Sequence, residues 1–334
     1  MGDAVVDGRG VLSTGYPQEE AARLLDTDLP RTVSGMPIKP YRPAPLGWQV
    51  FRGSEAVAHG LLTVHQLRSS AWVRVRHDLY ADARLDRDHG LACRATSLWL
   101  PEGAALAGPS AAYLYGVEHA ATFTDDVHVV TTPERRVEAR AGIRVHHTPF
   151  TPEETVVVEG IRRTTPARTA WDLAGWLDLI PAVTIIDGLL GHGLVTPATL
   201  SAMVADRAGR RGWRRAGRAF SLADGRAESP PESRLRVQLV LAGLPRPVPQ
   251  FPVRLPSGAV YRPDLPWPDY RVAVEYDGQW HGAADQLHRD RRRLNELVSA
   301  GWIILHATSQ HLRGNLRPLV RQARAALRAR GWRG

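Results

Sequence analysis

The sequence predicts a mixed α/β protein of more than one domain, and three observations carry that prediction. At 334 residues the chain outgrows one ordinary core, so two or three domains are expected. Its apolar content of 43% is that of a typical globular protein and suffices to fill them. Two hydrophobic periods run through it. Arg271 to Asp277 alternates residue by residue, as a strand does, while Leu235, Leu239 and Val240 recur at helical spacing.

Residues 1–50 read as a loosely ordered arm. Pro37, Pro40, Pro43 and Pro45 crowd together there, leaving room for one short helix near Glu19 to Leu25. In residues 51–81 the pattern gives two short helices and a strand. Thr63 caps a helix carrying Leu67, and Trp72, Arg74 and Arg76 alternate with Val73, Val75 and His77. Leu61-Leu62-Thr63 ahead of Gln66-Leu67, with Leu79-Tyr80-Ala81 at the end, resembles the winged-helix start of the abortive-infection (AbiEi-type) antitoxin family. The element is truncated: few residues separate Leu67 from the wing strand, too few for a full recognition helix in the major groove.

Residues 82–226 resemble the α/β remainder of that antitoxin family. Helices are predicted over 89–100 and 110–115, and strands over 127–131 and 143–147. Thr165 caps a helix with Pro166 in its first position, and further helices follow over 181–190, 197–208 and 210–222. His146 and His147 point to opposite faces of a strand and so cannot share one metal ion. Arg162, Arg163 and Arg168 read either as a solvated positive face or as contacts to a phosphate backbone. Trp171 and Trp176 read as core. No phosphate-loop pattern occurs, and Gly108-Pro109-Ser110-Ala111-Ala112 lacks the last glycine of a nucleophile elbow.

The small, polar stretch Ala223 to Pro231 sets off a last region, residues 227–334. Glu232 lies in the first turn of its opening helix, where a carboxylate suits the helix end, so capping and catalysis both stand as readings. In the run Arg271 to Asp277, Val272, Val274 and Tyr276 share one face, while Ala273, Glu275 and Asp277 share the other. A hairpin through Pro266-Trp267-Pro268-Asp269 returns Glu275 alongside Asp264. Carboxylates held that close repel unless a cation sits between them, and such oxygen ligands suit Mg²⁺ or Mn²⁺. The competing reading is an exposed strand end with Asp277-Gly278 in a turn. A helix over 285–299 turns Leu287, Leu294, Leu297 and Val298 inward, with Asp290 ringed by Arg289, Arg291, Arg292 and Arg293. Gly301 ends it and Trp302 to His306 forms a closing strand. The last helix sets Arg317, Arg321, Arg324 and Arg328 in one stripe against Leu316, Val320, Ala323 and Leu327.

Residues 229–310 resemble the very-short-patch-repair-like PD-(D/E)XK endonuclease domains. The landmarks are Pro231-Glu232-Ser233-Arg234-Leu235, Pro263-Asp264, Val274-Glu275-Tyr276-Asp277-Gly278, His281, and then Asp290, Arg293, Leu297 and Gly301-Trp302-Ile303-Ile304-Leu305. The resemblance implies an α-β-β-β-α-β mixed sheet and metal-dependent hydrolysis of DNA phosphodiesters, in repair or in defence against phage or mobile elements. It assigns Asp264, Glu275 and Asp277 to Mg²⁺ (or Mn²⁺), Glu232 to a metal or water, and His281 to general acid–base work. Gln279 is a weaker candidate for orienting water. It also implies that Arg262, Arg289, Arg292, Arg317, Arg321, Arg324 and Arg328 meet nucleic acid. Asp277 stands where that superfamily's lysine is expected. This departure supports the alternative, a non-catalytic DNA-binding regulator of antitoxin type. DNA is the expected partner on either reading, with a cognate toxin or defence-system protein as the expected protein partner.

Charge agrees with a polyanion. Residues 231–334 hold 17 Arg against 8 acids, a net of +9, while residues 1–230 hold 26 basic and 26 acidic residues. Cys93 is the only cysteine, which excludes an intrachain disulfide and a thiolate metal cluster. The N-terminus lacks a signal-peptide pattern, and Asp178, Pro181 and Asp187 interrupt the most apolar segment, Trp176 to Val195. A reducing cytoplasm and no membrane association are expected.

Overall fold

Proline and glycine punctuate this chain into short elements, and the computed structural model describes residues 40–134, 137, 140–255, 257–278 and 294–334. The predicted helix near Glu19 to Leu25 lies outside the described residues. The first elements are β1 (Val50–Arg52), α1 (Gly53–Ala58), β2 (Trp72–Arg76) and β3 (Leu79–Asp82), in an antiparallel sheet of order β1-β3-β2. Between α1 and β2 stands only a 3-10 turn, Gln66–Arg68. Thr63 and Gln66 close it reciprocally, each donating its N–H to the other's side-chain oxygen. The predicted alternation fails at a bulge: register shifts between Arg74 and Arg76, so Trp72 and Val75 both turn inward. Phe51, Ala56, Leu62, Leu67 and Trp72 fill this small core.

The middle region begins with α2 (His89–Ser97), β4 (Ala105–Leu106), α3 (Gly108–Leu114), β5 (Val127–Thr131) and β6 (Ile143–His147). It continues through β7 (Thr155–Val158), β8 (Ile161–Thr164), α4 (Pro166–Trp176), α5 (Leu179–Gly191), α6 (Pro197–Asp206) and α7 (Trp213–Leu222). Its strands form a mixed sheet of order β6-β5-β4-β8-β7, in which β5–β6 and β4–β8 are parallel. Strands β5 and β6 fall where the alternation placed them, and Thr165 caps α4 by accepting from the N–H of Arg168. Helices α4 to α7 close over Leu173, Val183, Ile186, Leu189 and Leu200.

Two arginines here are neither solvated nor available to phosphate. Arg168 is fully buried, its Nε on Asp172 Oδ1 and its Nη1 on Glu154 Oε2, each at 2.8 Å. Arg163 lies over the Tyr115 ring at 4.3 Å and donates to the carbonyl of Leu114. Charge patterning alone does not show that such groups are withdrawn from water: Asp172 stands one helical turn from Arg168, but Glu154 meets it from outside the helix. Arg162 alone of the three is exposed.

The C-terminal region comprises α8 (Pro230–Leu241), β9 (Val253–Arg254), β10 (Val260–Tyr261), β11 (Leu265–Trp267) and β12 (Val272–Asp277), then α9 (residues 294–299), β13 (Ile303–Thr308), α10 (Ser309–Arg313) and α11 (Arg317–Ala329). Strand β12 pairs antiparallel with β11 and parallel with β13, giving a three-stranded mixed sheet. The first hairpin, β9–β10, stays apart from that sheet. Pro263, without an N–H, sits where the two would be continuous. What is established is therefore a mixed α/β protein of several small sheets.

The face assignment on β12 holds. Val272, Val274 and Tyr276 pack with Leu235 and Leu239 of α8 and with Leu319, Ala323 and Leu327 of α11, while Ala273 meets Leu297 and Trp302. Val298, predicted inward, is 57% exposed, because only Leu297 reaches the sheet from that turn.

Helix α8 ties the middle region to the C-terminal sheet. Val237 joins the core of α4 to α7, while Leu235 and Leu239 join the sheet core. Arg236, fully buried, donates to Asp187 Oδ2 of α5 at 2.6 Å and to the Leu222 carbonyl, and Asp187 Oδ1 accepts from the N–H of Asp224 at 2.7 Å. Residues Pro40–Gly334 form one compact unit. Among the described residues, no helix is long and apolar enough to cross a membrane.

Candidate functional site

Sequence chemistry pointed to the acids of the C-terminal sheet, and the hairpin does bring two of them together. The turn Pro268–Tyr270, closed by Arg271 in a left-handed conformation, sets Leu265 opposite Val274 and so places Asp264 beside Glu275. Pro266, read as part of the turn, lies in β11 opposite Ala273. Beyond the last paired residue the Asp264 side chain continues the ladder, its Oδ2 accepting from the N–H of Tyr276 at 2.8 Å.

Burial pushes Asp264 up to about 6, and the charges of Glu232, Glu228 and Asp277 add to it against the Tyr276 hydrogen bond. Burial and then the neighbouring Asp264 push Glu275 up to about 8, opposed by the Tyr261 hydroxyl, which donates to Glu275 Oε2 at 3.0 Å. Among the described residues, Glu275 Oε1 is buried without a hydrogen-bond partner. Two acids pushed up toward neutrality, one with an orphaned oxygen, form a site that positive charge would relieve.

The remaining predicted residues behave differently. Glu232 caps the start of α8: its N–H donates to Ser229 Oγ, and its carboxylate accepts from that hydroxyl at 2.7 Å and from the N–H of Glu228 at 2.9 Å. The capping reading thus accounts for both of its oxygens. Asp277 turns to His306 of β13, whose Nδ1 lies 3.0 Å from its Oδ2. The parallel register β12–β13 places His306 opposite Glu275, next to that aspartate. His281, Gln279, Arg289 and Arg292 lie outside the described residues, and so does Asp290. Among the described residues, no three His, Cys, Asp or Glu side chains form a group able to hold a metal ion. The pair alone fits a Mg²⁺ or Mn²⁺ ion in ligand type, since such ions are commonly held by one or two carboxylates with water or phosphate completing the shell.

Tyr261 and His306 were not singled out in the sequence. Tyr261 stands three residues before Asp264, but nothing local shows that its hydroxyl reaches Glu275. His306 shares the parity of Trp302 and Ile304, yet the register of a parallel crossover is not written in either strand.

Of the basic residues, Arg262, Arg317, Arg321 and Arg328 are exposed. Arg324 instead staples α11 to α8 through the Ala242 carbonyl at 2.7 Å, and Arg328 bonds the Gly334 carbonyl. A second basic face, unremarked in the sequence because residues 1–230 are neutral in sum, surrounds α7: Arg210, Arg211, Arg214, Arg215 and Arg218 are all exposed.

Comparison with known proteins places this architecture. Residues 104–222 match the AbiEi antitoxin C-terminal domain, and that span runs from β4 to the end of α7. Over that span the chain is similar to the antitoxin domain. It is 32% identical over 241 residues to the uncharacterized protein Rv2248 of Mycobacterium tuberculosis (strain H37Rv), and equally to the uncharacterized protein MT2308 of strain CDC 1551. Each match covers 72% of this chain and 86% of the relative. The chain belongs to the family of these mycobacterial proteins. No nuclease family is matched. No solved structure matches.

Proposed function

We propose that this protein is a nucleic-acid-binding regulator of antitoxin type that acts with a cognate toxin or defence-system protein. The observation that carries this reading is the antitoxin-domain match, which spans the elements from β4 to α7. The exposed arginines around α7, with Arg317 and Arg321 on α11, supply charge for the phosphate backbone. Backbone contacts position a protein on DNA without reading sequence, and the short segment between α1 and β2 offers no helix for the major groove.

The test is a gel shift with duplex DNA at low and high salt, using the full chain and an Asp264→Ala Glu275→Ala variant. A salt-sensitive shift equal in both supports the regulator. No shift by micromolar protein at low salt overturns it.

A second reading rests on one observation, the Asp264–Glu275 pair with its buried, unpartnered oxygen. On this reading the protein hydrolyses phosphodiesters. Asp264 and Glu275 would hold Mg²⁺ or Mn²⁺, which would supply charge stabilisation at the scissile phosphate. Tyr261 would fix the Glu275 carboxylate. Asp277 and His306 would hold a proton at the sheet edge, and His281 keeps its assigned acid–base role. Metal-dependent nicking of plasmid DNA, lost in the double variant, is the result that would favour this reading.

A further inference from the structure

A cleft of about 990 Å³ opens between the β2–β3 hairpin and the chain leading into β6, the edge strand of the five-stranded sheet. Among the described residues four arginines line it, Arg52, Arg74, Arg76 and Arg140, against one carboxylate, Asp78. Asp78 is already engaged, accepting from the N–H and hydroxyl of Ser54 at 2.8 and 2.6 Å. Arg52 has Glu55 at 3.6 Å. Among the described residues, no carboxylate pairs with Arg74, Arg76 or Arg140.

The placement of these groups is built into the fold. Arg76 donates one Nη1 bond to the Val75 carbonyl at 2.9 Å, while its Nε is buried with no partner among the described residues. Gly142, at φ +76°, makes the room: a Cβ there would lie 2.6 Å from that Nε. Arg140 lies over the Trp99 ring at 4.3 Å, which fixes its plane beside the cleft. Guanidinium groups gathered on a concave wall raise the local positive potential, and their forked donors match phosphate oxygens. The volume is at the upper end of small-molecule sites, about 300–1,000 Å³.

We propose that this cleft binds a polyphosphate anion of nucleotide size, its phosphates held by Arg74, Arg76 and Arg140. The site is separate from the acid pair and from the α7 arginines, and it does not depend on the function proposed for either.

Titration calorimetry on the full chain tests it, with inorganic phosphate, pyrophosphate, a nucleoside triphosphate and a short single-stranded oligonucleotide as probes. Pyrophosphate and the triphosphate are expected to bind at micromolar concentration. Arg76→Gln and Arg140→Gln should each weaken them about tenfold or more, a loss of one charged contact. Arg333→Gln, an exposed arginine outside the cleft, should change nothing. Arg140→Gln serves as the second variant should Arg76→Gln lower the melting temperature. Absence of binding at millimolar ligand, unchanged affinity in both cleft variants, or binding of the oligonucleotide alone would each overturn the proposal.

Discussion

Asp187 in the middle region and Asp264 in the C-terminal sheet are both acids withdrawn from water, and they have met opposite partners. Asp187 meets Arg236 at 2.6 Å and the N–H of Asp224, so its charge is answered within the fold. Asp264 meets one backbone N–H and then Glu275, a second acid whose Oε1 has no partner. The first arrangement joins two regions of the chain. The second stores repulsion that only a proton or a cation can remove. The same distinction separates the Arg168–Asp172–Glu154 cluster, which is architecture, from Arg74, Arg76 and Arg140 of the cleft, which pair with no carboxylate among the described residues.

Breaking the answered pair gives the largest expected effect. Arg236→Met leaves Asp187 buried without its cation and should cost about 3–5 kcal/mol in urea unfolding. Replacing both, with Asp187→Leu added, should recover much of that loss, because no buried charge then remains.

Relieving the unanswered pair should act in the opposite direction. Glu275 has its folded-state value raised, so between about 4 and 8 the folded state binds the more protons and stability falls as pH rises. Glu275→Gln removes that dependence and should stabilise by roughly 1–3 kcal/mol at pH 8, with a smaller gain at pH 5. Unfolding curves at the two pH values check it. Equal gains at both would mean that repulsion is not the cause.

The histidine stack of the middle region gives a third, smaller effect of reversed sign. His146 stacks on Trp176 at 3.5 Å and lies 3.0 Å from His128 through their ring nitrogens. Burial holds both down to about 4. Their contribution is present above the usual histidine value near 6.5 and is lost as pH falls toward 4. His146→Phe should flatten that acid limb by roughly 1 kcal/mol. The smallest effect is on binding. Arg214→Gln should weaken duplex DNA uniformly across sequences and lower the salt slope by about 1, as loss of one phosphate contact does.

Local chemistry made much of this structure legible. The Thr165-Pro166 start of α4, strands β5 and β6 and the two faces of β12 follow from capping and period alone. The hairpin also brought Asp264 and Glu275 together, because a short antiparallel connection leaves few registers. What the sequence hid is what depends on distant partners. Nothing near Arg168 announces that Glu154 joins Asp172 around it, and nothing near Asp277 announces His306 across a parallel crossover. The bulge at Arg74–Arg76 likewise came from packing, which drew both Trp72 and Val75 inward against the alternation.

The measurement that bears most directly on the proposed regulator is incubation of the full chain with supercoiled plasmid in Mg²⁺ and, separately, Mn²⁺, beside the Asp264→Ala Glu275→Ala variant. The account predicts plasmid that is retarded on the gel by both proteins and left uncut by both. Metal-dependent nicking by the natural chain, absent in the variant, would contradict it and make the acid pair a catalytic centre.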